Sequence, residues 1–535
     1  MANRDEEILT QSQCLVEKPE KAVTYEESSL VDTANGQPNE NKAREALGYK
    51  EEGNAGFMLS VFNLMNAILG SGILGLSYAM AQLGFVGFFI ICLAVAVLAY
   101  FAIHLLLSLC AKTGVKSYER LGYRAFGTPG KLVTAVCILM QNIGAMSSYM
   151  FIIKNQLPSV LHTIICAAAD TPEECPNLYG EDVPWYLNGN MMVIIVVVCV
   201  VAPLASLKSI EFLGYTSGFS ITCMVFFTII IVSKYFIGVE DCPLFDDAIA
   251  NGTWETSTEA TCNLKFARLK FYEIPFSAPI WDAENSKISD ECGTTYKMPG
   301  PYCNLEAQEC GASAFVMNEK TVYAMPTMTF SFVCHTAILP IFAELKSGSH
   351  AEMKKVSKTS LGSCFLLYFI AALFGYFTFY NYVQSDLLLT YNHSDPTNPL
   401  TLVVRVCVLI GVILTLPLTH FPARKAVNFL FFPKHPFAWT RHLGIMAALL
   451  ALCVTLVINV PDIREIFGFV GASASGSLIF ILPSLFYIKI QRDEKLPFFE
   501  SLKETRLLMA SFCFLVFGCI FSLMTLGIMT AAKLS

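Results

Sequence analysis

Charge is what this chain has least of. Only 15% of its 535 residues are Asp, Glu, Lys or Arg, against about 25% in an ordinary soluble domain. Hydrophobic residues make up 54%, and the mean hydropathy is +0.53. A soluble globular class is excluded. Missing too is any Cys/His ligand spacing such as C-x-x-C or H-E-x-x-H, which leaves no signature of a structural or catalytic metal. No glycine-rich phosphate loop occurs, so nothing points to ATP hydrolysis. Nor can a nucleophile, a base and an orienting group be assembled from spaced motifs, so an enzyme is not expected. Residues 1–52 lack the basic stretch followed by an apolar one that marks a cleavable leader. They are read as a cytosolic, disordered tail, followed by one membrane domain over 53–535. The formal net charge of -7 mixes that tail with segments on both membrane faces and says nothing about partners.

What the chain does have is apolar runs of the length that crosses about 30 Å of hydrocarbon as a helix. The expected spans are 57–80, 84–109, 131–154, 189–206, 211–237, 321–342, 359–382, 399–421, 443–460, 464–489 and 507–531. Lys and Arg gather in alternate connections, at 110–131, near Lys208, and at 343–358, 423–442 and 489–506, whereas 158–188 and 383–398 contain neither. The positive-inside rule therefore places the N-terminus in the cytosol and, with an odd span count, the C-terminus outside. The sequons at Asn251 and Asn392 both fall in outer connections, as glycosylation requires. The outer segment 238–318 is long and contains Cys242, Cys262, Cys292, Cys303 and Cys310 in an oxidising compartment. Five is odd, so one thiol stays free or pairs with Cys175 of the other outer segment.

The first span reads NLMNAILGSGILGLSYAM over 63–80, with Asn66 just before Gly70, Ser71 and Gly72. Unpaired backbone survives at membrane depth only where protein encloses it or it lines a cavity. The run is therefore expected to break the helix, the alternative being a close helix-helix approach through small residues. A break exposes amides that suit a carboxylate and carbonyls that suit a cation. Repeat-built transporters place a second break five spans on. The sixth span has Pro326, Phe330, Ser331, His335 and Pro340 in the corresponding region.

These stretches, together with QNIGAMSSYMFIIK (141–154), FLGYTSGFS (212–220), FSFVCHTAILPI (330–341), LFGYFTFY (373–380), FPARKAV (421–427) and PDIREIFGFVGASASGSLIFILPSLFYIK (461–489), resemble the sodium-coupled neutral amino acid transporters of the amino acid/auxin permease superfamily. The resemblance implies an all-α polytopic fold of eleven transmembrane helices, with a five-plus-five inverted repeat in which helices 1 and 6 are broken. It also implies Na⁺-driven import of small neutral amino acids, glutamine or alanine among them, at the plasma membrane. Carried over by motif, Asn66 and Thr415 match residues implicated in sodium binding, and the carbonyls of Met65 and Ile68 would complete an oxygen shell suited to a hard cation. The family disulfide maps onto Cys242 and Cys310, although three further cysteines between them depart from the family pattern.

On this reading the substrate carboxylate meets amides around Gly70, Ser71 and Gly72, and its ammonium faces the sixth span near Phe330 and Ser331. Gln141 and Asn142 of the third span either reach the site or join helices. His104 and His335 either tune pH sensitivity or pack. Arg424 and Lys425 are expected to anchor the cytosolic end of the eighth span. Asp462, Arg464 and Glu465 form either an outer gate or a surface ion pair of little worth. No cofactor is expected beyond Na⁺ as the co-transported ion, nucleic acid is not an expected partner, and the chain is expected to act as a monomer in the bilayer. Two other readings stand beside import with Na⁺: a proton-coupled or exchange-type permease, and a membrane sensor of amino acids.

Overall fold

Long apolar segments can satisfy their backbone in lipid only as helices or closed barrels, and here they form helices. The computed structural model describes residues 55–168, 176, 183–207, 213–237, 312–317, 319–380, 383–394, 399–432, 435, 437–460, 462–492, 502 and 505–534. Among them there is no strand, only a parallel bridge between Ala55 and Leu345. The expected tail, Asn251, Cys175, Cys242 and Cys310 lie outside the described residues, as does most of segment 238–318.

The first span is two helices, α1 (Phe57–Ile68) and α2 (Gly72–Leu83), bent by 56° at the break. Helices α3 (Phe85–Thr113) and α4 (Tyr118–Ala168) follow, α4 kinked at Phe126 and Gly127 where Gly127 takes φ 65°. Next come α5 (Gly189–Val196), continued by a π-helical turn (Val197–Val201) and an α-helical turn (Ala202–Ala205), and α6 (Leu213–Ile237). The sixth span is again two pieces, α7 (Ala324–Ser331) and α8 (His335–Glu344). Beyond it lie α9 (His350–Phe379), the short α10 (Leu387–Ser394), α11 (Pro399–Phe431) and α12 (Trp439–Asn459). The tenth expected span is α13 (Ile463–Val470), two π-helical stretches, and α14 (Leu482–Gln491); α15 (Arg506–Leu534) ends the chain. Among the described residues nine helices are long and apolar enough to cross a membrane, and ten if the bent pair counts as one. Gly189–Ala205 is apolar but shorter.

Several helices run past the apolar windows that reveal them. Lys354, Lys355 and Lys358 lie within α9, and Arg424 and Lys425 within α11, not in connections. Polar flanks keep a helix going because charged residues such as Lys and Arg are good helix formers, a signal that hydropathy does not read. Arg424 corrects a second expectation. It is buried, its Nη1 donates to Ala205 O at 2.7 Å and lies 3.0 Å from His442 Nε2. Instead of anchoring to an interface, it caps the last carbonyls of the span that begins at α5, where a cation is favoured. The described free cysteines lie in or beside the helices, many of them buried, as small packing residues do.

The sequence GASASGS makes the tenth span slim. Gly471 begins its π-helical part and rests on the backbone of Pro326 in α7 so closely that a Cβ there would overlap Pro326 O and C. On the face opposite the Lys-rich connections, Asp386 precedes α10. Its Oδ1 accepts from Leu388 N at 2.9 Å, while Oδ2 accepts from Gln156 Nε2 at 3.5 Å. Burial pushes its carboxyl up to about 6, against the pull of those donors.

Two consequences can be measured. Gly471→Val should destabilise the detergent-solubilised protein by roughly 1–3 kcal/mol, since backbone cannot yield to the added atoms. Gly218→Ala, with open space around it, should be neutral; equal stabilities would remove the close-packing account. A carboxyl raised on folding stabilises the native state below its unfolded pKa of about 3.9 and loses that contribution as pH climbs through its folded value near 6. Melting temperature should therefore rise between pH 7 and pH 5, and Asp386→Asn should flatten that rise. Parallel curves for the two proteins would show that the dependence comes from elsewhere.

Candidate functional site

Both breaks face each other at the centre of the bundle, where α7 packs on α2 and α9 lies against α1 and α2. After Ile68 the chain turns tightly, with Leu69 N donating to Met65 O (2.7 Å) and Gly70 N to Ile68 O (2.8 Å). Gly72 then begins α2, whose first-turn amides have no partner within the helix. The glycines permit close approach. The hydroxyl of Tyr149 lies where a side chain on Gly70 would be, and Ser331 lies where one on Gly72 would be. Thus the break and the small-residue contact are not alternatives: the run at 70–72 provides both. Ser71 Oγ is hydrogen-bonded to Ser148 Oγ of α4.

On the other side of this contact, Ser331 ends α7. Its hydroxyl donates back to Thr327 O at 2.7 Å, so the carbonyl of Ser331 is the group left to face the first break. Tyr368 of α9 reaches both breaks: its hydroxyl lies 2.5 Å from Ile68 O and 3.1 Å from Ser331 O. Phe330 packs against Phe467 of α13 with ring centroids 5.0 Å apart and planes tilted by 37°, and Phe467 also meets Gly75 of α2. Two aromatic rings and a glycine therefore form an apolar wall beside the polar breaks.

The expected cation residues join through a third helix. Asn66 Nδ2 donates to Ser217 Oγ of α6 at 3.3 Å, while Asn66 Oδ1 is buried without a hydrogen-bond partner. One turn on, Ser220 Oγ lies 3.3 Å from Thr415 Oγ1. Thr415 already donates to Gly411 O at 2.7 Å, so Ser220 is the donor of that pair. The buried oxygens of Asn66, Ser217, Ser220 and Thr415 are neutral and hard, a set that suits an alkali cation. Of the two expected carbonyl ligands, Ile68 O already accepts from Gly70 N and Tyr368, and Met65 O accepts from Leu69 N. Ser217 and Ser220 were not singled out in the sequence, although two serines at i, i+3 on one face of a span are the signal that could have found them. Tyr149 and Tyr368 carried no such mark, since tyrosine in a span reads equally as packing.

The remaining candidates separate. Gln141 Oε1 accepts from Ser475 Oγ at 2.6 Å, which makes it a helix-joining group. Asn142 Nδ2 bonds its own helix at Ile138 O, 2.7 Å. His335 is fully buried at the start of α8, and His104 is partly buried in α3. Arg464 donates to Tyr78 of α2 at 2.7 Å, lies over that ring at 5.2 Å, and is held by Asp462 at 2.6 Å. Asn392 lies within α10.

The family model described as transmembrane amino acid transporter protein matches residues 53–262 and 291–530. Sodium-coupled neutral amino acid transporter 4 of Homo sapiens is 41% identical over 86% of this chain and 82% of its own length. Sodium-coupled neutral amino acid symporter 2 of Danio rerio is 42% identical over 86% and 80%. Among solved structures, Mhp1, a nucleobase-cation-symport-1 family transporter in a closed conformation with bromovinylhydantoin bound, superposes with a TM-score of 0.51 at 12% identity, covering 90% of this chain and 93% of that one. At that identity the likeness concerns the fold alone. With its broken first and sixth spans, its multi-pass helical bundle and these relatives, the chain belongs to the family of transmembrane amino acid transporter proteins, and is not an enzyme.

Proposed function

We propose that this protein imports small neutral L-amino acids, glutamine among them, together with Na⁺, down the sodium gradient. The observation that carries the reading is Asn66 Oδ1, a buried acceptor without a donor, set among hydroxyls of α6 and α11 beside a broken helix. An unpaired buried acceptor costs about 1–3 kcal/mol, and a cation offsets that cost. The relatives' names, sodium-coupled neutral amino acid transporters, agree. In this reading Ser71 and Gly72 offer amides to the carboxylate, joined by Gly70 when its bond to Ile68 O opens, the ends of α7 at Phe330 and Ser331 take the ammonium, and Asn142 borders the site. Asn66 and Thr415 hold Na⁺ with Ser217 and Ser220, and the carbonyls of Met65 and Ile68 join when their present donors move. Binding on shared elements makes the two affinities reciprocally linked, and the membrane potential adds about 2.3 kcal/mol per charge per 100 mV.

Counting Gly189–Ala205 gives eleven spans in the five-plus-five repeat, with the N-terminal tail cytosolic, the C-terminus outside, the protein monomeric and at the plasma membrane. The disulfide between Cys242 and Cys310 and glycosylation at Asn251 and Asn392 belong to the same outer face. There Arg464 and Tyr78 close the site from outside by tying the tenth span to α2.

Uptake of labelled glutamine in low-background cells, with Na⁺ or a bulky organic cation outside, tests the coupling. Asn66→Ala should raise the half-saturating Na⁺ concentration by about tenfold, the worth of one lost ion contact of roughly 1.4 kcal/mol. Uptake indifferent to sodium in the wild type would move the reading to a proton-coupled or exchange mechanism, and binding without accumulation would make the protein a sensor. For the outer closure, Arg464→Gln should raise KM for glutamine about tenfold at unchanged surface level, in line with a lost charged hydrogen bond. An unmoved KM would reduce the pair to a surface contact.

A further inference from the structure

Tyr368 stands where the two breaks meet, and its hydroxyl has one proton for two carbonyls. The residue is fully buried, and its ring packs edge-on against Phe332, the residue that follows α7, at 5.2 Å and 83°. Its oxygen lies 2.5 Å from Ile68 O, the last carbonyl of α1, and 3.1 Å from Ser331 O, the last carbonyl of α7. Terminal carbonyls of this kind have no partner within their own helix, and in lipid they cannot turn to water. Tyr368 is thus a shared donor to two carbonyls on different elements. Ile68 O also accepts from Gly70 N, so both its lone pairs are engaged and a cation can reach it only by displacing a donor.

We propose that Tyr368 is a placeholder: its hydroxyl proton satisfies in the empty carrier the two carbonyls that Na⁺ and the substrate ammonium claim, and ligand binding displaces it. This inference rests on the reading of Ile68 and Ser331 as ligand-facing groups. Its energetics have a definite sign. Without the hydroxyl, two buried carbonyls lose their donor in the empty state, while the ligand-bound state, in which ions satisfy them, changes less. The empty state rises in free energy and ligands bind more tightly. A merely structural tyrosine, or one that holds the carbonyls in place for the ligand, gives a different sign.

The test is Tyr368→Phe, which keeps the ring and removes the donor. Normalised to surface protein, the half-saturating concentrations of Na⁺ and of glutamine should both fall about fivefold, the equivalent of one modest hydrogen bond. Loss of maximal rate with unmoved constants, or constants that rise, overturns the placeholder. Should the variant be retained in the cell, 3-fluorotyrosine at position 368 supplies the opposite perturbation. A more acidic phenol is a stronger donor, so both constants should rise; unmoved or lower constants count against the proposal. Wild type is measured alongside. If its uptake ignores sodium, the coupling itself fails; if it depends on sodium and the constants ignore position 368, only this inference fails.

Discussion

A backbone carbonyl in hydrocarbon must find a donor inside the protein, and that requirement organises the bundle. Breaking a helix at membrane depth frees several such groups at once. The chain breaks two, and nearly everything at its centre serves to enclose them. Tyr368 divides one proton between the ends of α1 and α7. Gly70 and Gly72 let Tyr149 and Ser331 come close enough to cover the turn, and Gly471 lets the tenth span lie directly on the backbone of α7. The stability and the binding properties of this centre have the same origin, because each enclosed group is also one that a ligand of opposite polarity can engage.

On the proposed reading, a neutral zwitterion is bound without a charged residue. A carboxylate needs amides and an ammonium needs carbonyls, and broken helices supply both as partial charges fixed in place. Full charges inside spans cost several kcal/mol each. Among the charges near the bundle, Arg424 caps the carbonyls at Ala205, Lys154 donates to Val457 O at 3.0 Å and Arg464 lies between Asp462 and Tyr78, while Arg405 and Lys234 are buried within α11 and α6. Phe330 and Phe467 provide an apolar wall for a side chain without setting its identity.

How much of this was legible in the sequence depends on range. Helices and their breaks are local, so hydropathy, glycine and proline revealed α1/α2 and α7/α8 correctly; helix ends were missed where polar helix formers extend them, as at the start of α9, and where α4 runs on past its expected end to Ala168. Asn66 and Thr415 were singled out through motifs; Ser217 and Ser220, which lie beside them, were missed although their spacing offered a signal. What was not legible is pairing across distance. Nothing in the residues alone aims Tyr368 at two carbonyls, turns Arg424 inward, or tells Gln141, which joins helices, from Asn142, which bonds its own. Those outcomes are decided by which helix lies alongside, information that a single span does not contain.

The bridge between Ala55 and Leu345 adds a matter of timing. Two backbone hydrogen bonds, Ala55 N to Glu344 O and Lys346 N to Ala55 O, each 3.0 Å long, join points about 290 residues apart, and a contact of such separation carries a large closure entropy. During synthesis, the root of the first span has no partner until the sixth has been made and inserted. Closing this strap therefore waits on the sixth span, and it records that the first and sixth spans have found each other.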